Sequence, residues 1–223
     1  MGSVIGDILP LALGVAISPI PIIAAILMLL SPKARVTSVG FLIGWVLGII
    51  VAATVFTLLS AILPESDPDA ASPVKGVIRL VLGLGLVVLA FGQWRKRPRP
   101  GVEPALPKWM QAIDKVTFPL AFGLGFLLSA VNPKNLLMAA GAGVDIGSAD
   151  LDVASIIVVI AVFTLIAAST VLVPVVAYLV ASARLRGPLD ALRVWLAREN
   201  AVIMAVLLLV IGVSMIGKGI GSF

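Results

Sequence analysis

Ser18-Pro19-Ile20-Pro21 and Asn132-Pro133-Lys134-Asn135 each interrupt a long apolar run, and the fold turns on how they are read. Proline removes a backbone donor and breaks a helix interior. Ser and Asn are favoured N-caps, and proline is favoured at the first helical position, where its missing N–H costs nothing. Each stretch therefore reads as one helix stopping and another starting inside a hydrophobic segment. A restarted helix presents unpaired N–H groups and the positive end of its dipole, an arrangement that receives anions. Lys134 lies deep in its segment, where an unpaired cation costs several kcal/mol. It is expected to face the bundle interior or a hydrated cavity, or to be paired with Asp7 or a carbonyl.

Working outward, the 223 residues are 61% hydrophobic and 12% charged, with a mean hydropathy of +1.19. Soluble domains carry about twice that share of charge. Apolar runs of about 20 residues suit bilayer-spanning helices, and ten-residue alternating strands of the barrel type are absent. Six spans are expected, near Ile5–Leu30, Val36–Leu63, Val74–Trp94, Phe118–Gly143, Leu151–Ala183 and Ala201–Ile220. The fifth is too long for one perpendicular crossing, and Pro174 is its expected kink. The start, MGSVIGDILP, lacks a positive n-region and is expected to be kept as part of the first span.

There is no histidine and no cysteine. Thiol nucleophiles, His- or Cys-ligated zinc and a histidine-based triad are therefore excluded. No paired intramembrane carboxylates suggest a general base, so neither an enzyme, a catalytic residue, a cofactor nor a metal site is expected. Of the sixteen basic residues, twelve fall on one side of the expected spans: Lys33 and Arg35, six between Arg95 and Lys115, and Arg184, Arg186, Arg193 and Arg198. Asp7, Glu65, Asp67, Asp69, Asp145, Asp150 and Asp152 fall on the other. The positive-inside rule then places both termini outside the plasma (inner) membrane. Because topology explains the arginines, no nucleic-acid partner is expected. The acidic stretches Glu65–Asp69 and Asp145–Asp152 read as solvated loops.

Three spans, a basic linker and three more suggest a duplication. Residues 1–94 form one three-helix repeat, 95–117 the cytoplasmic linker, and 118–223 the second repeat. Pro10-Leu11-Ala12-Leu13-Gly14 resembles Pro119-Leu120-Ala121-Phe122-Gly123, and each precedes its break by a few residues. The first span starts outside and the fourth inside, so the halves would be inverted. The expected fold is an all-α polytopic membrane protein, six helices in two inverted repeats with broken first helices. Arg184–Asn200, with Leu185, Leu189, Leu192, Trp195 and Leu196 on one face, and 107–116, with Trp109, Met110 and Ile113 together, read as interfacial amphipathic segments. Gly44 and Gly48, with Gly83, Gly85, Gly123 and Gly125, read as close-packing faces. Thr54, Thr57, Thr164, Ser169 and Thr170 either line a path or bond their own helix.

Six spans, two halves and a proline break in each first helix resemble the lysine-exporter (LysE-type) transporter superfamily. The SPIPI…SPKAR stretch (residues 18–35) and NPKN (132–135) look most like its glycolipid-addressing branch, the GAP or sulfolipid-addressing (Sap) family. That resemblance implies a protein that helps move glycolipids or lipid-linked intermediates outward. It implies substrate contacts at Ser18, Pro19, Pro21, Asn132, Pro133, Lys134 and Asn135. Asp7 and Arg79 are further candidates, as relay or headgroup contacts. With no acid near mid-membrane, a hard-cation exporter is disfavoured. Three readings stand: a flippase for an anionic amphiphile, an exporter of an amino acid or small polar metabolite, and a non-transporting scaffold for lipid-synthesis enzymes. The expected partners are membrane lipids with a glycolipid substrate, lipid-synthesis enzymes at the basic face, and a second copy of the chain.

Overall fold

A computed structural model describes residues 1–60, 73–97 and 116–223, apart from the side chains of residues 182–184. The acidic stretch 65–69, most of the basic linker and all of the amphipathic segment 107–116 but Val116 lie outside the described residues. Among the described residues seven helices follow one another: α1 (Gly2–Ala16), α2 (Pro19–Leu30), α3 (Ala34–Ser60), α4 (Pro73–Arg95), α5 (Phe118–Ala130), α6 (Pro133–Gly147) and α7 (Val153–Ile220). No strand occurs among the described residues.

Among the described residues four helices are long and apolar enough to cross a membrane: α3, α4 and the two arms of α7, Val153–Ala181 and Leu185–Ile220. The count rises to six if each bent pair is one span, α1 with α2 (53° apart) and α5 with α6 (59° apart). The protein is a multi-pass membrane protein. Its outer surface agrees: Val88, Phe91, Leu165, Val180 and Val210 are all exposed, as side chains facing acyl tails should be.

The non-helical backbone of α7 falls at Ala181 (φ −138°, ψ 48°), whereas Pro174 lies within the helix. This corrects the expected kink. The bend comes where the apolar span gives way to the arginine-rich stretch. The amphipathic segment 184–200 is not a separate element either; from Leu185 it forms the start of the second arm. Leu189 and Leu196 are buried on its expected apolar face, while Leu192 and Trp195 remain exposed.

Small residues set the packing. A Cβ on Gly44 would strike the backbone of Phe122, and one on Gly125 the backbone of Phe41. A Cβ on Gly48 would strike Ser129, and those on Gly143 and Gly147 would strike Phe56 and Ser60. Both sets of numbers rise together, so α3 runs parallel to α5 and then to α6. Gly83 meets Gly212, and Gly76 meets Gly219; here one number rises as the other falls, so α4 and the second arm of α7 are antiparallel. Gly14 lies against Met138 and Gly141 against Leu11, which makes α1 and α6 antiparallel as well. Gly123 has nothing within 4 Å of its Cβ position and is no part of this packing.

Candidate functional site

The first break exposes the carbonyl end of α1. Local amides cap it only in part, Ile17 N–H bonding the Leu13 carbonyl and Ser18 N–H the Ala16 carbonyl (both 2.8 Å). Lys134 reaches across from α6 and donates from Nζ to the Gly14 carbonyl (2.5 Å), to Ser18 Oγ (2.5 Å) and to the Ile17 carbonyl (3.4 Å). Thr170 Oγ1, from the first arm of α7, donates to the Ala16 carbonyl (2.6 Å). A cation at a helix C-terminus is favoured by the dipole, and three acceptors complete an ammonium group. That is how a lysine only 4% exposed is accommodated. Of the pairings expected for Lys134, the carbonyl is the one found. Asp7 sits two turns earlier on α1 with another partner.

At the second break, Asn132 Oδ1 accepts from the Lys134 backbone N–H (3.0 Å), capping α6. Asn135 turns away and donates from Nδ2 to the Leu128 carbonyl (3.0 Å), tying α6 to the end of α5. The restarted helices are thus less bare than their sequences suggest. Ser18 makes no side-chain cap because its hydroxyl accepts from Lys134. Pro19 and Pro21 have no N–H to offer, so Ile20 supplies the free amide at the start of α2. Opposite it, Asn132 has already engaged one of the α6 amides.

Both breaks face one cavity of about 160 Å³. Ser18, Pro19, Ile20, Pro21, Asn132, Pro133 and Lys134 line it, together with Leu89 and Gln93 of α4 and Asn200, Met204 and Leu208 of α7. Six of the seven residues expected at a site are therefore brought together, and Asn135 is the one that does not line the cavity. Asn135 Oδ1 and Asn200 Oδ1 are buried without a donor. Such an atom costs about 1–3 kcal/mol unless something completes it. Across the α4–α7 seam lies an apolar groove of about 310 Å³, lined by Val87, Ala90, Phe91, Trp94, Ala205, Val206 and Leu209.

Toward the other end α1, α4, α6 and α7 close. Leu11, Met138, Ile211 and Met215 are buried between them, and the remaining space is about 10 Å³, room for roughly one water. Beyond these side chains stands an ionic cluster. Arg79 Nη2 pairs with Asp145 Oδ1 at 2.7 Å, and Lys218 Nζ pairs with Asp7 Oδ1 at 2.6 Å and with Asp145 Oδ2 at 3.8 Å. Arg79 also donates to Ser222 Oγ (3.1 Å). The cluster draws one charge from each of α1, α4, α6 and α7.

This cluster corrects one expectation. Asp145 is not in a solvated loop: α6 continues to Gly147, which turns Asp145 inward to 8% exposure. Asp7 and Arg79 belong to the closed end, away from the breaks. Sequence reasoning did not single out Lys218, Gln93 or Asn200, and it left Thr170 undecided. No local motif marks any of them, because each acts through a helix distant in sequence. Among the other hydroxyls, Thr57 and Ser169 bond their own helices. No group of metal-binding side chains occurs among the described residues.

No curated protein and no solved structure matches the chain. A family model described as "Sap, sulfolipid-1-addressing protein" matches residues 8–221. Both proline breaks and the buried lysine where they meet lie within the matched residues, and the chain belongs to the Sap, sulfolipid-1-addressing protein family.

Proposed function

We propose that this protein is a transporter rather than an enzyme, and that it carries an anionic glycolipid or lipid-linked intermediate outward across the inner membrane with the headgroup between the two breaks. The observation that carries this reading is the cavity lined by both interruptions, where a buried lysine and the unpartnered amide oxygen of Asn200 sit beside hydrocarbon. The positive-inside rule puts the cavity at the cytoplasmic end, where Arg95 and Arg97 follow its lining residue Gln93 in the chain. Lys134 supplies positive potential although its N–H groups are engaged. Gln93, Asn200 and the free Ile20 amide would supply donors.

The packing directions support two inverted three-helix halves: α3 parallel to the α5–α6 pair, α4 antiparallel to the second arm of α7. In a symmetric arrangement the contact of α1 with α6 would have its counterpart between α2 and α5. Among the described residues α1 packs along α6 and no comparable packing joins α2 to α5. An asymmetry of this kind is what alternating access requires. One end is shut by apolar side chains and the ionic cluster while the other admits a guest. The apolar groove beside the polar cavity favours an amphiphile over a small polar solute, because a chain attached to the headgroup can lie there outside the bundle.

Reconstitution tests this directly. Vesicles carrying the protein and NBD-labelled sulfatide, a sulfated glycolipid, should show leaflet transfer as dithionite quenching. Asn132→Leu should lower the rate at least tenfold while the protein still inserts and elutes as a single species. Transfer at the wild-type rate by Asn132→Leu would remove the breaks from the mechanism. Uptake of radiolabelled lysine without sulfatide transfer would favour the small-solute reading.

A further inference from the structure

A second polar concavity lies away from the breaks and shares no lining residue with their cavity. It is a groove of about 390 Å³ between the α2–α3 turn and the end of the first arm of α7. Lys33, Arg35 and Arg186 line it with Ser31, Val36 and Tyr178, and among the described residues no acidic side chain does. Among the described cations, Arg79, Arg193 and Lys218 are paired with carboxylates. Lys33, Arg35 and Arg186 form no ion pair among the described residues. The backbone adds to their charge. Ala34 N–H bonds the Ser31 carbonyl, and Val36 and Thr37 N–H bond the Lys33 carbonyl, whereas the amides of Lys33 and Arg35 take no backbone acceptor. They open a 27-residue helix, whose dipole is positive at this end.

We infer that this groove binds the phosphate headgroup of an anionic membrane lipid, a site separate from the cavity between the breaks. Three cations without an ion-pair partner converging on one space at the opening of a helix recognise a phosphate ester and repel a cation. The groove's level selects a lipid rather than a soluble phosphate. It sits where α3 begins and the first arm of α7 ends, the boundary at which headgroups lie. Val36, beside the cations, is 54% exposed, and Tyr178 is buried at the groove. A headgroup held by Lys33, Arg35 and Arg186 therefore has an apolar neighbour for its acyl end. Basic pockets between spans hold anionic headgroups in this way, at about fivefold in affinity per cation.

The test is lipid retention by native mass spectrometry on the whole purified protein, released from nanodiscs of phosphatidylglycerol or of phosphatidylcholine. The wild type should retain phosphatidylglycerol and not phosphatidylcholine. Lys33→Gln/Arg35→Gln/Arg186→Gln should lose it, and Arg186→Gln alone should weaken retention about fivefold. A charge-matched control, Arg97→Gln/Arg193→Gln/Arg198→Gln, should retain it as the wild type does. Equal loss in the control would show only nonspecific charge and overturn the site. So would retention by the triple variant. Stabilisation by inorganic phosphate without phosphatidylglycerol retention would overturn the lipid assignment.

Discussion

Lys134 directs its ammonium group at the carbonyl end of α1, although it belongs to α6, and Thr170 completes the same end from a third helix. Charge-assisted hydrogen bonds contribute about 1.5–3 kcal/mol each, so these contacts offset the cost of burying the cation. Lys134→Ala leaves the Gly14 carbonyl and Ser18 Oγ without their donor. It should lower thermal stability by about 3–5 kcal/mol, read as a lower Tm in detergent, and abolish transfer. Thr170→Val removes a single neutral bond and should cost about 1 kcal/mol in the same measurement. The lysine's depth and its demand for a partner were legible in the sequence, since a cation within an apolar run must be satisfied somewhere. Its partners were not. A carbonyl freed by a helix break carries no residue-type signal, and Thr170 is one hydroxyl among several.

The breaks themselves are written in local chemistry. Ser18-Pro19 and Asn132-Pro133 stop and restart their helices where the prolines dictate, and the bends of 53° and 59° follow. Where tertiary contacts decide instead, local reading fell short. Helix α6 runs on to Gly147, because Gly143 and Gly147 let it lie against Phe56 and Ser60 of α3, and Asp145 is carried inward with it. The bend of α7 sits at Ala181 rather than at Pro174. The glycine faces of α3 and α5 were legible as close approaches, though Gly123 has no neighbour to approach. Gly125→Leu would drive a side chain into the backbone of Phe41. It should separate α3 from α5 at a cost of about 1–3 kcal/mol, read as a lowered Tm. Gly123→Leu, facing open space, should leave Tm unchanged within about 0.5 kcal/mol.

Across the whole molecule the two ends differ. The basic end holds a cavity of about 160 Å³ at the breaks, and the acidic end leaves about 10 Å³ beneath the cluster of Asp7, Arg79, Asp145 and Lys218. The sorting of charge to opposite ends could be read from the sequence. The pairing within the acidic end could not, because it joins residues up to 211 positions apart. If that cluster helps hold the end shut, Asp145→Asn should loosen it, since Asp145 contacts both Arg79 and Lys218. The absence of cysteine makes single introduced thiols clean reporters of both ends. The most direct measurement is labelling of Met204→Cys, in the cavity, and Met215→Cys, under the ionic cluster, with a small water-soluble methanethiosulfonate in oriented vesicles. The account predicts rapid labelling of Met204→Cys from the basic face, protection of Met215→Cys from both faces, and faster labelling of Met215→Cys when Asp145→Asn is added. Equal protection of both thiols, or Met215→Cys labelled from the acidic face as fast as Met204→Cys from the basic one, would contradict it.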